Sequence, residues 1–205
     1  NGINNDTLLE TFGYDPLNRL RTVTMQGVST PTQSITYNDN GNIATKSDIA
    51  AGATYAYGVK NSQCSVIPGV HAVTAIGNER AYCYDAAGNQ THAYTNSQLT
   101  RQVTYSLFAK PLQIHSSSGD SWFNYDANET KFKRVDNTEQ GSFTTYYVGS
   151  NEVIYNADGS SEIKRYIQDI AIHSIKSSGA EKLNYLYNDH LGSGSVITDA
   201  AGVIE

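Results

Sequence analysis

Apolar and polar residues alternate along this chain in short runs. Leu20-Arg21-Thr22-Val23-Thr24 and Gln33-Ser34-Ile35-Thr36-Tyr37 each put every second side chain on the same side. Alternation with period two over about five residues predicts half-buried β-strands. Polar segments follow, among them Asp39-Asn40-Gly41-Asn42, Ala87-Gly88-Asn89 and Ala157-Asp158-Gly159-Ser160. Gly adopts positive φ freely and Asn or Asp tolerates it, so these segments predict hairpin reversals. No stretch keeps a helical stripe. The nearest candidate, residues 162–175, is β-branched and carries Ile163, Arg165 and Ile167 on one parity, so it too predicts a strand. The pattern predicts an all-β, antiparallel fold.

A tyrosine with a turn behind it recurs through this alternation. It appears as Tyr14-Asp15-Pro16-Leu17-Asn18-Arg19-Leu20, Tyr37-Asn38-Asp39-Asn40-Gly41-Asn42 and Tyr84-Asp85-Ala86-Ala87-Gly88-Asn89. Weaker copies start at Tyr105, Tyr125, Tyr147, Tyr166 and Tyr187, and a divergent one at Tyr57. Successive anchors lie 23, 20, 27, 21, 20, 22, 19 and 21 residues apart. A period near twenty predicts about nine stacked units over residues 1–205, each of two strands and two turns, in place of one globular core. Residues 58–69 break the rhythm and predict an inserted loop. Tyr125-Asp126-Ala127-Asn128-Glu129 lacks the Gly, which leaves its turn type open.

Composition supports the strands and narrows the partners. Fifteen Tyr against five Phe suit a sheet wetted on both faces, because a tyrosine packs its ring while its hydroxyl meets water or a polar neighbour. The formal net charge of −6 and pI near 5.3 argue against a nucleic-acid surface, which needs clustered Lys and Arg. The one basic cluster, Lys131-Phe132-Lys133-Arg134, reads as a solvated strand edge. No apolar run approaches the ~20 residues of a membrane span. The chain begins at Asn1 without a secretion signal and reads as a piece of a longer polypeptide. Cys64 and Cys83 lie nineteen residues apart, about one repeat, and could meet from neighbouring strands. Two cysteines are too few for a disulfide scaffold or a structural zinc site, so free thiols are expected.

These segments resemble a known family. The Tyr84–Asn89 and Tyr14–Leu20 segments are similar to the YD repeats of bacterial Rhs proteins, of the B and C components of insecticidal Tc toxins and of animal teneurins. His71-Ala72-Val73-Thr74-Ala75-Ile76, leading to the Tyr84 turn, resembles a segment common late in Rhs shells. Tyr187-Asn188-Asp189-His190-Leu191-Gly192-Ser193, ending in Thr198-Asp199-Ala200-Ala201-Gly202, resembles the block that opens the Rhs-associated core, placed here at 187–205. The resemblance covers nearly the whole chain. It implies a β-strip forming part of a spiralling hollow shell, non-enzymatic, that encloses a C-terminal toxin until delivery. The implied partners are the remainder of the shell, the enclosed toxin domain and a delivery-apparatus protein. The implied location is a secreted or delivered bacterial effector, or a cell surface. The family's self-cleavage motif and toxin would lie beyond Glu205, so the resemblance assigns no catalytic residue. Eighteen strands at ~4.8 Å spacing make a strip about 86 Å long, roughly 27 Å across if closed into a ring. A ~100-residue cargo is about 33 Å wide, so the implied role is a wall segment.

The candidate site residues are therefore structural: Tyr14, Asp15, Tyr37, Gly41, Tyr84, Asp85, Gly88, Tyr187, Asp189, His190 and Gly192. The recurring Asp residues lack the oxygen count and spacing of a calcium loop and read as turn caps. His71, His92, His115, His173 and His190 show no metal spacing, and no metal or cofactor is expected. Asp189 and His190 read as a turn or docking contact. Gly192-Ser193-Gly194-Ser195 is not a nucleophile elbow, because Val196 follows Ser195. Trp122-Phe123, Tyr146-Tyr147 and Tyr55/Tyr57 read as cross-strand aromatic contacts. A surface adhesion or carbohydrate-binding module is the alternative, since surface members of the family mediate adhesion.

Overall fold

A computed structural model of the protein describes residues 9–26, 33–189 and 191–205. It divides into two units, residues 1–100 and 101–205. The first holds β1 (Leu9–Tyr14), β2 (Leu20–Gln26), β3 (Gln33–Tyr37), β4 (Ile43–Lys46), β5 (Tyr55–Tyr57), β6 (Val73–Ile76), β7 (Arg80–Tyr84) and β8 (Gln90–Thr95). The boundary falls inside β9 (Gln98–Tyr105). The second unit continues with β10 (Pro111–Ser116), β11 (Gly119–Tyr125), β12 (Lys131–Thr138), β13 (Gly141–Val148), β14 (Asn151–Tyr155), β15 (Ser161–Ile167), β16 (Ala171–Lys176), β17 (Glu181–Asn188) and β18 (Gly194–Thr198). Strand order follows chain order, in one sheet of four strands, β1 to β4, and one of fourteen, β5 to β18. One short 3-10 turn, Ala50–Gly52, is the only other regular element among the described residues. The all-β, antiparallel arrangement expected from the alternation is the one that forms.

Nine turns among the described residues have one geometry. Their first residues are Asp15, Asn38, Asp85, Ser106, Asp126, Asn156, Lys176, Asp189 and Asp199. In each, the first N–H donates to the fifth residue's carbonyl, and the fourth N–H donates to the first residue's carbonyl. The fourth residue is left-handed in every copy, with φ between 56° and 88°. Gly fills it in six copies, but Asn18, Ala109 and Glu129 fill it in the others. The turn at Asp126 is thus the same as the rest, despite the missing Gly. Its hydrogen bonds outweigh the ~1–2 kcal/mol that a side chain costs in this conformation.

Tyr147 and Tyr166, expected to open two of these turns, do not. β13 and β14 are joined by the tight pair Gly149-Ser150, and β15 and β16 by residues 168–170. The next such turn after Asp126 starts at Asn156, so three strands separate them in place of two. Alternating sequence marks strands equally well in either phase, which is why the slip is invisible in the spacing of tyrosines.

Two further expectations are corrected. Cys64 and Cys83 are bonded, with Cα atoms 5.3 Å apart, where free thiols were expected. Cys64 is not on a neighbouring strand; it lies in the connection 58–72 between β5 and β6, which folds back to Cys83 on β7. Closing a loop of this length restricts the unfolded chain by about 3 kcal/mol. The basic cluster 131–134 is not at a strand edge either. It opens β12, which pairs with β11 on one side and β13 on the other.

No described side chain is fully buried. The buried apolar residues are Ile35, Cys64, Ile76, Cys83 and Ala93 in the first unit, and Val103 and Ala171 in the second. Cross-strand pairs and backbone ladders, more than a packed interior, hold such sheets together. Turn conformation then matters in proportion. Ala109→Gly is expected to raise stability by about 1 kcal/mol by relieving the left-handed alanine. Gly159→Ala, which has open space around its new Cβ, is expected to cost about 1 kcal/mol through φ alone. Urea unfolding midpoints of the two variants check both signs.

Candidate functional site

The recurrent tyrosine and its turn act as a cap and a clasp. The cap is the first turn residue. Asp15, Asp85, Asp126, Asp189 and Asp199 each accept two backbone amides on Oδ1, from the residues two and four positions on, at 2.8–3.0 Å. Ser106 does the same through Oγ at 3.2 Å. Where the first residue is Asn or Lys, the third supplies the acceptor: Asn40 for Asn42, Asp158 for Ser160 and Ser178 for Ala180.

The clasp joins successive units. Just before four of the capped turns the ladder slips, at Gly13/Tyr14, Thr36/Tyr37, Cys83/Tyr84 and Asn124/Tyr125, and it slips at Ala56/Tyr57 before the 58–72 connection. Tyr14 then pairs with Leu20, Tyr37 with Ile43, and Tyr57 with Val73. A bulge interrupts the ladder, and a carbonyl there needs another donor. The next tyrosine supplies it. Tyr37 donates its hydroxyl to Leu20 O at 2.7 Å, Tyr57 to Ile43 O at 2.8 Å, and Tyr84 to Val73 O at 2.7 Å. In the second unit Tyr105 pairs with Pro111, and Tyr125 donates to Pro111 O at 2.8 Å. Each acceptor is the first residue of a strand.

Arg19 tightens the first clasp by bonding Asp15 Oδ2 at 2.7 Å and lying over the Tyr37 ring, 4.4 Å from its centre. Burial pushes the Tyr57 and Tyr125 hydroxyls above their ordinary pKa. At Asp85 burial is the largest single influence and pushes the carboxyl up. The Asn89 side chain and the Asn89, Ala87 and Gly88 amides together outweigh it, holding Asp85 below the usual carboxylate range. At Asp15 the Arg19 amide is the largest influence and also lowers the carboxyl.

The expected site residues distribute over these devices. Tyr37 and Tyr84 are clasps, Asp15, Asp85 and Asp189 are caps, and Gly41, Gly88 and Gly192 hold the left-handed position. Tyr14 is exposed and precedes the first described turn. Tyr187 is 53% exposed and sits two residues before its cap, so Asn188 occupies the bulge position instead. His190 lies outside the described residues. No group of three or more His, Cys, Asp or Glu among the described residues could hold a metal.

Tyrosine spacing concealed the cations and the faces. In the second unit the register gives β11 to β17 two faces of different chemistry. Tyr146, Val153, Ile163 and Ile175 oppose one another directly across β13 to β16. On that face Tyr146, Val148, Tyr155, Ile167, Tyr185 and Tyr187 are exposed. The other face carries Glu152 opposite Lys164, Glu162 opposite Lys176, and the Arg134–Asp136 pair. Neighbours in sequence therefore separate. Tyr146 meets Tyr155 edge-on at 6.1 Å, whereas Tyr147 takes Lys131 over its ring at 4.1 Å. Tyr55 and Tyr57 stack 6.4 Å apart along the single strand β5, not across two strands as expected.

No protein-family model matches the sequence, and no curated protein does. Solved structures share the fold. The crystal structure of TcdB2-TccC3 aligns over 96% of this chain with a TM-score of 0.55 and 13% identity. The crystal structure of TcdB2-TccC3-Cdc42 aligns over the same share at 0.54 and 12%. The Tc holotoxin pore of Photorhabdus luminescens, with a mutated TccC3, gives 0.54 and 13%. The chain spans 13% of the length of each of those chains. At this identity the likeness is one of fold.

Removing a clasp and removing an uncommitted hydroxyl should differ. Tyr125→Phe is expected to cost about 1 kcal/mol, the net worth of one hydrogen bond. Tyr155→Phe, whose hydroxyl bonds no described residue, is expected to change stability by less than about 0.5 kcal/mol. Denaturant titration separates them. Acid should act through the caps. Asp85 is held below its unfolded pKa, so its contribution is present at neutral pH and is lost as pH falls below about 4. Asp85→Asn, which removes the titrating carboxyl, is expected to flatten the stability profile between pH 5 and 3, measured by urea midpoint.

Proposed function

We propose that this chain is a non-enzymatic wall segment of an Rhs- or Tc-type toxin shell, and that its turns are YD repeats. The observation that carries the reading is the fold likeness to TcdB2-TccC3 chains over 96% of this chain and only 13% of theirs. That ratio supports reading the chain as a short span of a much longer wall. The motifs at 71–76 and 187–193 favour the same family. In this reading the function is sequestration: hydrogen-bonded strands isolate a C-terminal toxin until delivery. The partners are the remainder of the shell, the toxin and a delivery-apparatus protein. The Cys64–Cys83 bond suits a secreted or delivered protein, because disulfides persist in oxidising compartments.

A second reading, surface carbohydrate binding, is favoured by one feature. Tyr146, Tyr155 and Thr144 line an open hollow of about 440 Å³ on the apolar face, with aromatic edges on which a sugar ring could stack.

Protease protection of the whole polypeptide that contains this chain tests the first reading. A segment C-terminal to this chain is expected to resist protease in the intact protein and to become sensitive when clasps are removed by Tyr84→Ala and Tyr125→Ala. Digestion of that segment at the same rate in both would overturn enclosure. Glycan-array binding abolished by Tyr155→Ala would favour the second reading.

A further inference from the structure

We propose that residues 58–72 form a redox-set strap. Oxidised, the Cys64–Cys83 bond locks the middle of the strap onto β7; reduced, that middle lifts away while the β5–β6 hairpin stays in place. The inference does not depend on the shell reading.

The strap is held unequally along its length. Its base is well tied. Gly58 N donates to Ala72 O at 3.3 Å, and Ala72 N to Gly69 O at 3.0 Å. Asn42 Nδ2 donates to Val70 O at 3.0 Å, and His71 Nδ1 shares a 2.7 Å hydrogen bond with Asn42 Oδ1. Between Val59 and Pro68 no residue belongs to a strand. There two long hydrogen bonds accompany the disulfide, from Asn61 Nδ2 to Tyr82 O at 3.5 Å and from Gln63 Nε2 to Ser97 O at 3.4 Å. Both are at the outer limit of useful N–H···O length. Burial adds little, since Val59 and Ile67 are largely exposed. The covalent bond is therefore the main anchor of this ten-residue stretch, and its loss releases a local segment without breaking a ladder.

The bond is also shielded, with Cys64 8% and Cys83 5% exposed. That shielding slows attack on the sulfur while the bond is intact. The chemistry needs a dithiol, either a small molecule or a protein. Its thiolate attacks one sulfur, the S–S bond breaks, and the released cysteine thiolate takes a proton. The second thiol then displaces the other cysteine from the mixed disulfide. The dithiol leaves as a disulfide, oxidised by two electrons, and Cys64 and Cys83 end as thiols. A chain moving between reducing and oxidising compartments would change its strap state on the way.

Trypsin supplies the probe, because Lys60 is exposed on the strap and the next cleavable residue, Arg80, begins β7. In the full chain, dithiothreitol treatment and Cys64→Ser are each expected to raise cleavage at Lys60 at least ~10-fold, as a local opening would. Hydrogen exchange is expected to quicken over residues 59–68 and to stay unchanged in β8. Lys60→Gln identifies the cut by abolishing it. Equal cleavage of the oxidised and reduced protein would overturn the proposal. So would simultaneous opening of all sites on reduction, which would make the bond a staple of the whole unit. Two titratable thiols in the air-oxidised protein would overturn it as well.

Discussion

A carbonyl released by a β-bulge and recaptured by the next tyrosine's hydroxyl is the interaction on which the rest of this structure depends. Leu20, Ile43 and Val73 are linked in this way through Tyr37, Tyr57 and Tyr84. Tyr37 and Tyr57, which close the first two clasps, also pair with Ile43 and Val73, the residues that the following clasps hold. The relay therefore couples one turn to the next, and it is polar. In a protein where no described side chain is fully buried, a bond worth about 1 kcal/mol is a large part of what a hairpin has.

The caps explain how such a relay tolerates sequence drift. What the turn needs is a side-chain acceptor for the fifth residue's amide and a fourth residue at positive φ. Asp, Ser or a displaced Asn, Asp or Ser side chain meets the first need, and Gly, Asn, Ala or Glu the second. The backbone bonds are common to all nine turns, so side chains adjust the energy of the turn more than its shape. The Tyr155 copy marks the limit of the scheme. It has the turn without a register slip, and its tyrosine lies half exposed against Tyr146 with no clasp.

The two faces of the second unit give a sheet of this kind more than mechanical value. The Arg134–Asp136 pair and the Lys131–Tyr147 contact lie on one face, while exposed tyrosine and aliphatic side chains collect on the other beside Lys133 and the His173–Glu181 pair. A sheet obtains different chemistry on its two sides directly from strand alternation. The strap in the first unit is a different solution to order. It covers β7 with a segment that has little ladder and little burial of its own, and relies on a covalent bond in their place.

Strand identity, antiparallel pairing and the positions of Asp15, Asp85, Asp126 and Asp199 as caps were legible in the residues alone. They rest on local rules: period-two alternation, and short polar side chains that bond amides two and four residues on. The turn at Asp126 was left open by sequence, because a missing Gly signals lost φ freedom while tertiary context can impose the angle on Glu129 anyway. Three matters were decided only by tertiary structure. The partner of each tyrosine hydroxyl lies 11 to 17 residues away in sequence, across a bulge that no composition signals. The bond between Cys64 and Cys83 depends on a loop folding back, and loops carry no period to extrapolate. The slip between Asp126 and Asn156 changes which end of the strands a turn occupies, yet alternation reads the same in both phases. Local physics sets what each segment is, and long-range contacts set what each segment touches.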